Sequence, residues 1–525
     1  MALRVWLAAL AAAGFGACAA LAGAPDQALR LTIPVDPETL DPAPIQSGYA
    51  AGVARQVFST LTRFDAELKM KGDAAESWEV SADGRVCTFH LKPGVRFHNG
   101  REMTAEDVAY TLARLARMRT WLARPIEGVD DVAEGKTERL KGVSTPDSRT
   151  VVIRLDKPFA PFLCQLASVN AGIVPREEVE RRGKEFAWRP VGSGPFRVAE
   201  WRRRSAIRLE AFEAYHGGKP RLPALSFRVT REGAVAFEAY KADELDVCAA
   251  PREYLEIVRK GPLAKELRVT TNLVTAYLGI TMDRSPLGQN VHLRRAMNYA
   301  INRPFLFERM LGGADLPAKG VLPPGTPGYD PELAGYEYDP AKAAAEMRAA
   351  GYGPGRPEPT VKLVFAPMRN GRQIAEQVQS DLGKIGIKAQ LRQMDFAALR
   401  ESTERGEPDL FRIAWVADYP DPDNFLYVLF HSSQKPVEGN RSRLKDPQVD
   451  KLLDAARAER DEQKRLDLYR QAERAIVDLA PWVFLSHNRT HFLVKPRVKG
   501  LELGPMDDDS ALQGADLAKV WLEGK

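Results

Sequence analysis

The chain has 525 residues, of which 44% are hydrophobic, with 75 basic and 70 acidic residues and a mean hydropathy of −0.32. One hydrophobic core does not extend over such a length, so two or three domains are expected. The net charge of +5 is spread along the chain, and no basic block with interleaved aromatic residues is present, which argues against nucleic-acid binding.

The first 24 residues have the pattern of a secretory signal peptide. Arg4 precedes an apolar, alanine-rich run from Val5 to Ala22 that contains no acidic residue. Cleavage at the end of this run or after Ala24 would release a periplasmic protein. The alternative is a lipoprotein anchor at Cys18, because the Gly-Ala before it is similar to the end of a bacterial lipoprotein signal. No other stretch reaches the ~20 apolar residues that a membrane span needs.

The other cysteines are Cys87, Cys164 and Cys248, an odd number without a CxxC pair. At most one disulfide can join them, and a chain of this size does not depend on it. Their neighbours are apolar, which favours small buried side chains.

The first half of the chain predicts mostly strands. An Asp-Gly pair at 83–84 predicts a hairpin turn, and Thr104 with Asp107 three residues later predicts a capped helix. The predicted strands are Leu29–Pro34, Val86–Leu91, Val95–His98, Thr150–Leu155, Phe196–Trp201, Ile207–Ala211 and Leu245–Val247, and further helices are predicted at Tyr49–Phe64 and Ala234–Tyr240.

The second half alternates between strands and helices. Thr360–Phe365, Arg372–Ile385 and Lys388–Gln393 predict a strand, a helix and a strand, and this order is typical of a parallel β-α-β unit. The other predicted strands are Tyr277–Met282, Val483–Leu485 and His491–Lys495, and the other predicted helices are Val291–Ile301, one beginning at Asp339-Pro340 and ending at Gly351, Gln448–Ala458 and Gln463–Leu479.

The segment that follows Leu410–Val416 is the strongest candidate for a binding site. The run itself predicts a buried strand. Asp418 comes just past its end, after Ala417, and lies between Trp415 and Tyr419 in the sequence. Open α/β sheets hold their ligands outside the carboxyl ends of their strands. Asp418 is therefore a candidate receptor for a positive charge on a ligand.

Two further aspartates, Asp421 and Asp423, lie next to prolines in the same segment. Aspartate and proline are common in turns and at helix starts, so these two residues are expected to build a turn and cap a helix near Asn424.

Five segments together resemble the oligopeptide- and dipeptide-binding family of bacterial extracellular solute-binding proteins (family 5), the receptors of ABC importers. The likeness extends over essentially all of the chain after the signal peptide, and the five segments stand in the order that the family has. They are Ala75–Leu112 (AESWEVSADGRVCTFHLKPGVRFHNGREMTAEDVAYTL), Pro190–Phe196 (PVGSGPF), Leu293–Gly313, Tyr338–Tyr352 (YDPAKAAAEMRAAGY) and Trp415–Phe425 (WVADYPDPDNF).

The resemblance implies a two-lobed α/β fold of the periplasmic-binding-protein type, with a hinged cleft and an additional inserted domain. By analogy, lobe I comprises residues 25–60, 173–275 and 486–525. The inserted domain comprises residues 61–172, and lobe II comprises residues 276–485. The family also implies a monomer without a cofactor, with short peptides and a membrane permease as partners.

The resemblance also implies roles for named residues. Asp418 matches the family's ammonium-binding aspartate by its W-x-A-D-Y context, and Trp415 and Tyr419 would wall the cleft. Arg412 matches a position where some members bind the carboxylate of a short peptide. A structural ion pair with a core acid is the alternative for Arg412.

Four other residues are weaker candidates for ligand contacts. Arg369 and Arg372 follow a predicted strand and begin a predicted helix, where they would bind a carboxylate or simply carry surface charge. Ser47 and Tyr49 lie in a part of lobe I that is expected to face the cleft.

Enzyme and metal motifs are absent from the sequence: it contains no HExxH, no P-loop and no GxSxG. The histidine pairs His487/His491 and His90/His98 lie on predicted strands, so neither pair would share a helical face. We therefore expect neither an enzyme nor a metal site. Within the same family, a nickel chelate, an oligosaccharide, an opine or haem is the alternative ligand, and His431 leaves the metal chelate open.

Overall fold

A computed structural model describes residues 27–284, 286–353, 355–367, 370–508 and 512–524. The predicted signal peptide, Cys18 and Arg369 lie outside the described residues. The strands are β1 (Leu29–Ile33), β2 (Thr62–Phe64), β3 (Met70–Gly72), β4 (Ala75–Val80), β5 (Val86–Leu91), β6 (Val143–Ser144), β7 (Thr150–Arg154), β8 (Phe196–Arg202), β9 (Ala206–Ala211), β10 (Ala224–Val229), β11 (Val247–Ala249), β12 (Leu267–Ile280), β13 (Leu316–Pro317), β14 (Thr360–Phe365), β15 (Lys388–Gln393), β16 (Leu410–Val416), β17 (Trp482–Val494), β18 (Val498–Lys499) and β19 (Trp521–Leu522).

The α-helices are distributed through all parts of the described chain. Among the described residues, none of them combines the length and the apolar character that crossing a membrane requires. They are α1 (Gly48–Ala54), α2 (Ala105–Arg117), α3 (Val129–Ala133), α4 (Phe162–Gln165), α5 (Arg176–Arg182), α6 (Gly233–Lys241), α7 (Leu255–Lys260), α8 (Val291–Ala300), α9 (Pro340–Ala349), α10 (Gly371–Gly383), α11 (Phe396–Glu404), α12 (Pro422–Phe430), α13 (Pro447–Ala458) and α14 (Glu462–Leu479).

Two four-stranded sheets share one hydrophobic core in the first half of the chain. The first has the order β1-β10-β9-β8, with β1 parallel to β10. The second is antiparallel, with the order β4-β5-β7-β6. Leu31, Phe89 and Leu112 belong to the same buried cluster, so both sheets and α2 pack on common apolar side chains. The capping box of Thr104 and Asp107 begins α2 as predicted.

The second half forms a seven-stranded sheet with the order β11-β17-β12-β16-β14-β15, and β13 pairs with β17. The pair β14 and β15 is parallel and is connected by α10, which confirms the predicted β-α-β unit. Successive residues of a strand point to opposite faces. Accordingly, Val364 and Phe411 enter one buried cluster while Leu363 and Leu410 enter another. Helices cover both faces of the sheet. In the strand order, β16 lies in the middle, between β12 and β14.

Four parts of the chain differ from the sequence prediction. The two predicted strands after residue 482 are one continuous strand, β17, because its polar centre is buried between β12 and β13. The helix predicted at Tyr49–Phe64 ends at Ala54, and the chain then turns into the hairpin of β2 and β3. Helix α11 was not predicted, and Val95–His98 forms no strand, although Arg96 makes an isolated bridge with Glu102.

The two longest strands are the places where the predicted lobes would meet. The predicted boundaries at 275/276 and 485/486 fall inside β12 and β17. The register between these strands shifts between Thr271 and Thr275 and again between Ala276 and Tyr277. A register shift adds local bending to paired strands. The division into two lobes and an inserted domain at those residues remains a prediction.

Candidate functional site

Asp418 lies where the central strand β16 ends. The chain leaves the sheet at Ala417, whose N–H donates to the Leu273 carbonyl of β12 at 2.9 Å. The side chain of Asn424 then holds the turn together. Its Oδ1 accepts the Asp418 N–H at 3.0 Å and the Trp415 Nε1–H at 3.0 Å, and its Nδ2 donates to Asp418 Oδ2 at 3.2 Å. The Asp418 carboxylate is thus fixed in direction by one amide side chain.

The electrostatic setting of Asp418 suits the binding of a cation. The residue is accessible to solvent, but it lines a cavity, so protein atoms crowd its carboxylate. This desolvation raises the pKa of Asp418, and the hydrogen bond from Asn424 partly offsets the rise. Within the described ranges, no lysine, arginine or histidine forms an ion pair with it. A carboxylate of this kind gains more from an incoming cation than a fully hydrated one does.

Asp421 and Asp423 have structural roles, as predicted. Asp421 caps α12 by accepting the Asp423 N–H at 3.0 Å, and it forms an ion pair of 2.9 Å with Arg465. Asp423 is fully buried and accepts from Arg457 at 2.6 and 2.9 Å. Both carboxylates therefore stabilise the turn that presents Asp418.

Four separate parts of the chain surround Asp418. They enclose a small cavity with about 20 Å³ of space for the centres of water molecules. Beside the turn of Asp418 itself, the wall comes from Arg55 just after α1, from the hairpin of β2 and β3, from α4 with the segment after it, and from the C-terminal segment. Side chains that line this cavity include Arg55, Phe64, Cys164, Ser168, Tyr419 and Met506.

A second, larger cavity, with about 80 Å³ of space for the centres of water molecules, adjoins the first. Both cavities are lined by Arg55, Phe64 and Asp65. Its walls carry basic and acidic side chains, and several of these form ion pairs. Lys71 lies 2.7 Å from Asp65. Together the two cavities form one cleft, which we call the Asp418 cleft.

The predicted aromatic residues lie beside Asp418, but both are engaged with the protein. Tyr419 is buried; its hydroxyl donates to Asp423 at 2.8 Å and accepts from Gln165 Nε2 at 3.3 Å, and its ring stacks on Trp121. Trp415 is half-buried and is bonded to Asn424, as described above. Tyr419 contributes its ring to the cavity wall.

Of the predicted basic residues, the structure describes Arg412 and Arg372, and neither lines a cavity of the Asp418 cleft. Arg412 is half-buried on β16, and its guanidinium lies near Gly371 at the start of α10. Arg372 forms a surface ion pair with Glu376 at 2.9 Å, with 73% of its side chain exposed. This geometry gives Arg372 the role of a surface charge. That Arg412 and Arg369 bind a ligand remains a prediction.

Ser47 and Tyr49 lie at the start of α1. Ser47 caps this helix by accepting from the Ala50 N–H at 3.2 Å, and its hydroxyl donates to Glu38 at 2.7 Å. Tyr49 lines a different groove, together with Pro34 and Phe492, and this groove shares no lining residue with the Asp418 cleft. Their predicted contact with a ligand therefore remains a prediction.

Two charged residues of the cleft region were missed by the sequence analysis. Arg55 lines both cavities, and no local motif marks it. Asp507 holds the C-terminal wall by accepting the N–H groups of Gly504, Gly514 and Ala515 at 2.8–3.0 Å. Burial raises the pKa of Asp507 to about 6. The run of three aspartates at 507–509 was the available signal for it.

Histidines and cysteines in the described ranges form no group that could hold a metal ion. His431, which was left open for a metal chelate, is buried against Tyr427 and bonded to Ser433 at 2.7 Å. It lines neither cavity of the Asp418 cleft. The described cysteines are free thiols, and Cys164 belongs to the cleft wall, close to Asp421.

Comparison with known proteins places the chain among solute-binding proteins. Residues 69–436 match the family model described as "Bacterial extracellular solute-binding proteins, family 5 Middle". The dipeptide-binding protein of Escherichia coli (strain K12) is 31% identical over 82% of this chain and 83% of its own length. Heme-binding protein A of Haemophilus influenzae is 30% identical over 87% of this chain and 86% of its own length.

A solved structure extends the similarity to the fold. The periplasmic binding protein DppA from Helicobacter pylori, in complex with the peptide STSA, superposes with a TM-score of 0.80 at 26% identity. The match covers 95% of this chain and 98% of that one. The two-lobed α/β architecture expected from the sequence is therefore confirmed.

Proposed function

Because the chain belongs to family 5 of the bacterial extracellular solute-binding proteins, we propose that it is the receptor of an ABC importer that captures short peptides in the Asp418 cleft. The observation that carries the peptide assignment is Asp418 itself, an accessible carboxylate inside a cavity, held by Asn424 and without a cationic partner in the described residues. Similar proteins named for dipeptide binding, and one solved with a bound peptide, support the same assignment.

The chemistry of a peptide explains why one carboxylate suffices to orient it. A peptide's N-terminal ammonium donates three hydrogen bonds and carries a full charge, so Asp418 fixes the direction in which the peptide lies. Each charge-assisted bond is worth about 1.5–3 kcal/mol net. The backbone can bond to protein main chain whatever its sequence, and side chains can lie in water-filled space that adapts to them. The larger adjoining cavity offers such space.

The proposal includes the location and partners of the protein. The chain is exported by its N-terminal signal, acts in the periplasm as a monomer, closes its lobes around the peptide by bending at β12 and β17, and then docks on a membrane permease. Lobe closure at these strands is supported by their register shifts. Export is supported by the composition of residues 1–24.

The test is calorimetric titration of the purified protein with tripeptides whose N-terminus is free or acetylated. Asp418→Asn should weaken binding of the free peptide about 10- to 100-fold and leave the acetylated peptide nearly unchanged, because only the free one carries an ammonium. Asp65→Asn is the matched control, since Asp65 lines the same cavity but is paired with Lys71. If the Asp418 variant binds free tripeptides as well as the parent does, the ammonium role is wrong.

Haem is a second candidate ligand, because a relative of 30% identity is named for haem binding. A haem receptor would be expected to offer an axial ligand or a broad apolar wall. Among the described residues that line the Asp418 cleft there is no histidine. Native mass spectrometry of protein purified from its own cells distinguishes the two, since a co-purified peptide and a haem differ in mass and in visible absorption.

A further inference from the structure

Among the described residues that line the Asp418 cleft, Arg55 is a basic residue without an ion pair. In the part of the chain that the structure describes, the other basic residues of the cleft are each paired with a carboxylate. Arg63 lies 3.0 Å and Lys519 lies 3.3 Å from Asp516, and Lys71 lies 2.7 Å from Asp65. Among the described residues, no carboxylate lies within ion-pair distance of Arg55.

Arg55 is held in position by main-chain carbonyls instead of by an acid. It follows the last turn of α1; its Nε donates to the Gln513 carbonyl at 3.3 Å and its Nη1 donates to the Ala167 carbonyl at 3.0 Å. Its Nη2 has no partner among the described residues and is not sealed inside the protein. Two carbonyl bonds therefore fix the guanidinium plane and leave one edge for a ligand.

The surroundings make this unneutralised charge costly without an anion. Arg55 is half-buried, and desolvation lowers its pKa from the usual value of arginine. The carboxylates of Asp73 and Asp507, neither of which forms an ion pair with it, oppose that effect only in part. A planar guanidinium matches the two oxygens of a carboxylate. Arg55 lines the same cavity as Asp418, which has no cationic partner among the described residues.

We propose that Arg55 binds the carboxylate of the ligand, so that Asp418 and Arg55 together select small zwitterions. This inference rests on the proposed peptide-binding function and deepens it. The single cavity between the two charges then limits how far apart a ligand's ammonium and carboxylate can be. Arg55 belongs to the predicted lobe I, so in this proposal lobe I helps to determine the length and charge of the ligand.

The test is a cycle of two proteins and two ligands, measured by calorimetry. The parent and Arg55→Gln are titrated with Ala-Ala and Ala-Ala-Ala, each with a free C-terminus and as the C-terminal amide. The parent should prefer the free acid about 10- to 100-fold, and Arg55→Gln should lose most of this preference while it binds the amide as the parent does. Arg63→Gln is the matched control and should keep the preference, because Arg63 is paired with Asp516.

The outcomes separate the two proposals. If the parent binds the peptides and Arg55→Gln keeps the full preference for the free acid, the assignment of Arg55 is overturned and peptide binding stands. If the parent binds neither the acids nor the amides, peptide binding itself fails and the Arg55 assignment falls with it. Should Arg55→Gln fail to fold, Arg55→Lys replaces it in the same cycle; it keeps the charge but loses the planar fork, so the preference should shrink, and an unchanged preference would overturn the assignment.

Discussion

Glu473 shows how a single buried carboxyl group can make the stability of this protein depend on pH. It lies on α14 with 1% of its surface exposed, and its Oε1 accepts the N–H groups of Val321 and Leu322 at 2.9 and 2.8 Å. Burial raises the pKa of Glu473 to about 7, and the nearby carboxylate of Asp330 adds to the rise while Arg474 opposes it.

The sign of the effect follows from this raised pKa. Between the ordinary glutamate pKa and about 7 the folded protein holds a proton that the unfolded chain has lost, so the stabilisation is complete below that window and is lost as pH rises through it. Glu473→Gln keeps the oxygen acceptor and removes the charge. We therefore expect it to raise the free energy of unfolding at pH 8 by on the order of 2 kcal/mol and to have little effect at pH 4.5, measured by urea denaturation at both pH values.

The control is Glu473→Ala. It removes the carboxyl oxygen and leaves the buried N–H groups of Val321 and Leu322 without a hydrogen-bond acceptor. This variant should be less stable than the parent at pH 4.5, where the glutamate is neutral. A Glu473→Gln protein that gains no stability between pH 4.5 and pH 8, relative to the parent, would contradict the raised pKa.

At the residue scale, the sequence identified one end of the proposed ligand site but not the other. Asp418 could be predicted because a buried strand, a turn and a family motif all meet at it. Arg55 could not be predicted, because its neighbours in the cavity come from residues 64–68, 164–168 and 504–514, which only the tertiary fold brings together. An arginine after a short helix has no local signal that separates it from ordinary surface charge.

At the scale of elements, the packing of β12 against β16 depends on a glycine. Gly279 pairs with Phe411 across the two strands, and a Cβ built on Gly279 would lie only 2.1 Å from the fully buried Phe411 ring. The ring must therefore move if any side chain is introduced. Gly279→Ala should lower the free energy of unfolding by about 1–3 kcal/mol, as overpacking of a core does, measured by urea denaturation.

Gly383→Ala is the matched control. Gly383 ends α10, and a Cβ at this position would meet no atom within 4 Å. Alanine there should be neutral or stabilising by about 0.5–1 kcal/mol, because it reduces the entropy lost on folding. Equal effects of the two substitutions would show that the contact with Phe411 is not what Gly279 avoids.

Element prediction succeeded where periodicity was unambiguous and failed where tertiary burial decides. β14, α10 and β15 were predicted because their apolar spacing and order are typical of a parallel unit. The centre of β17 was not included in either of the two strands predicted there, because its Ser-His-Asn-Arg-Thr run is polar. In the fold these polar side chains are bonded to neighbouring strands, for example Thr490 to Asn272 at 2.7 Å and His487 to Thr275 at 3.0 Å.

At the scale of the whole molecule, the segment that carries Asp418 is held against the part of the chain predicted as the inserted domain. Arg124 forms an ion pair with Glu438 at 2.9 Å, and the Ala160 N–H donates to the Arg457 carbonyl at 3.1 Å. The residues that make these contacts line neither cavity of the Asp418 cleft. We expect such contacts to stabilise a closed arrangement of the proposed lobes.

The ring of Trp121 is the contact of this kind that is easiest to test. It stacks on Tyr419 with ring centroids 5.7 Å apart and an interplanar angle of 26°, and it lines neither cavity of the Asp418 cleft. An aromatic pair contributes about 0.5–1.5 kcal/mol beyond the area it buries. Trp121→Ala should therefore weaken peptide binding by about 2- to 10-fold, chiefly through faster dissociation measured by stopped-flow fluorescence, because it destabilises the closed arrangement without touching the ligand. Trp188→Ala removes a tryptophan that meets Trp201 edge to face and lines neither cavity of the cleft, so it should leave the dissociation rate unchanged. Equal rates for the two variants would mean that the Trp121 contact does not take part in closure.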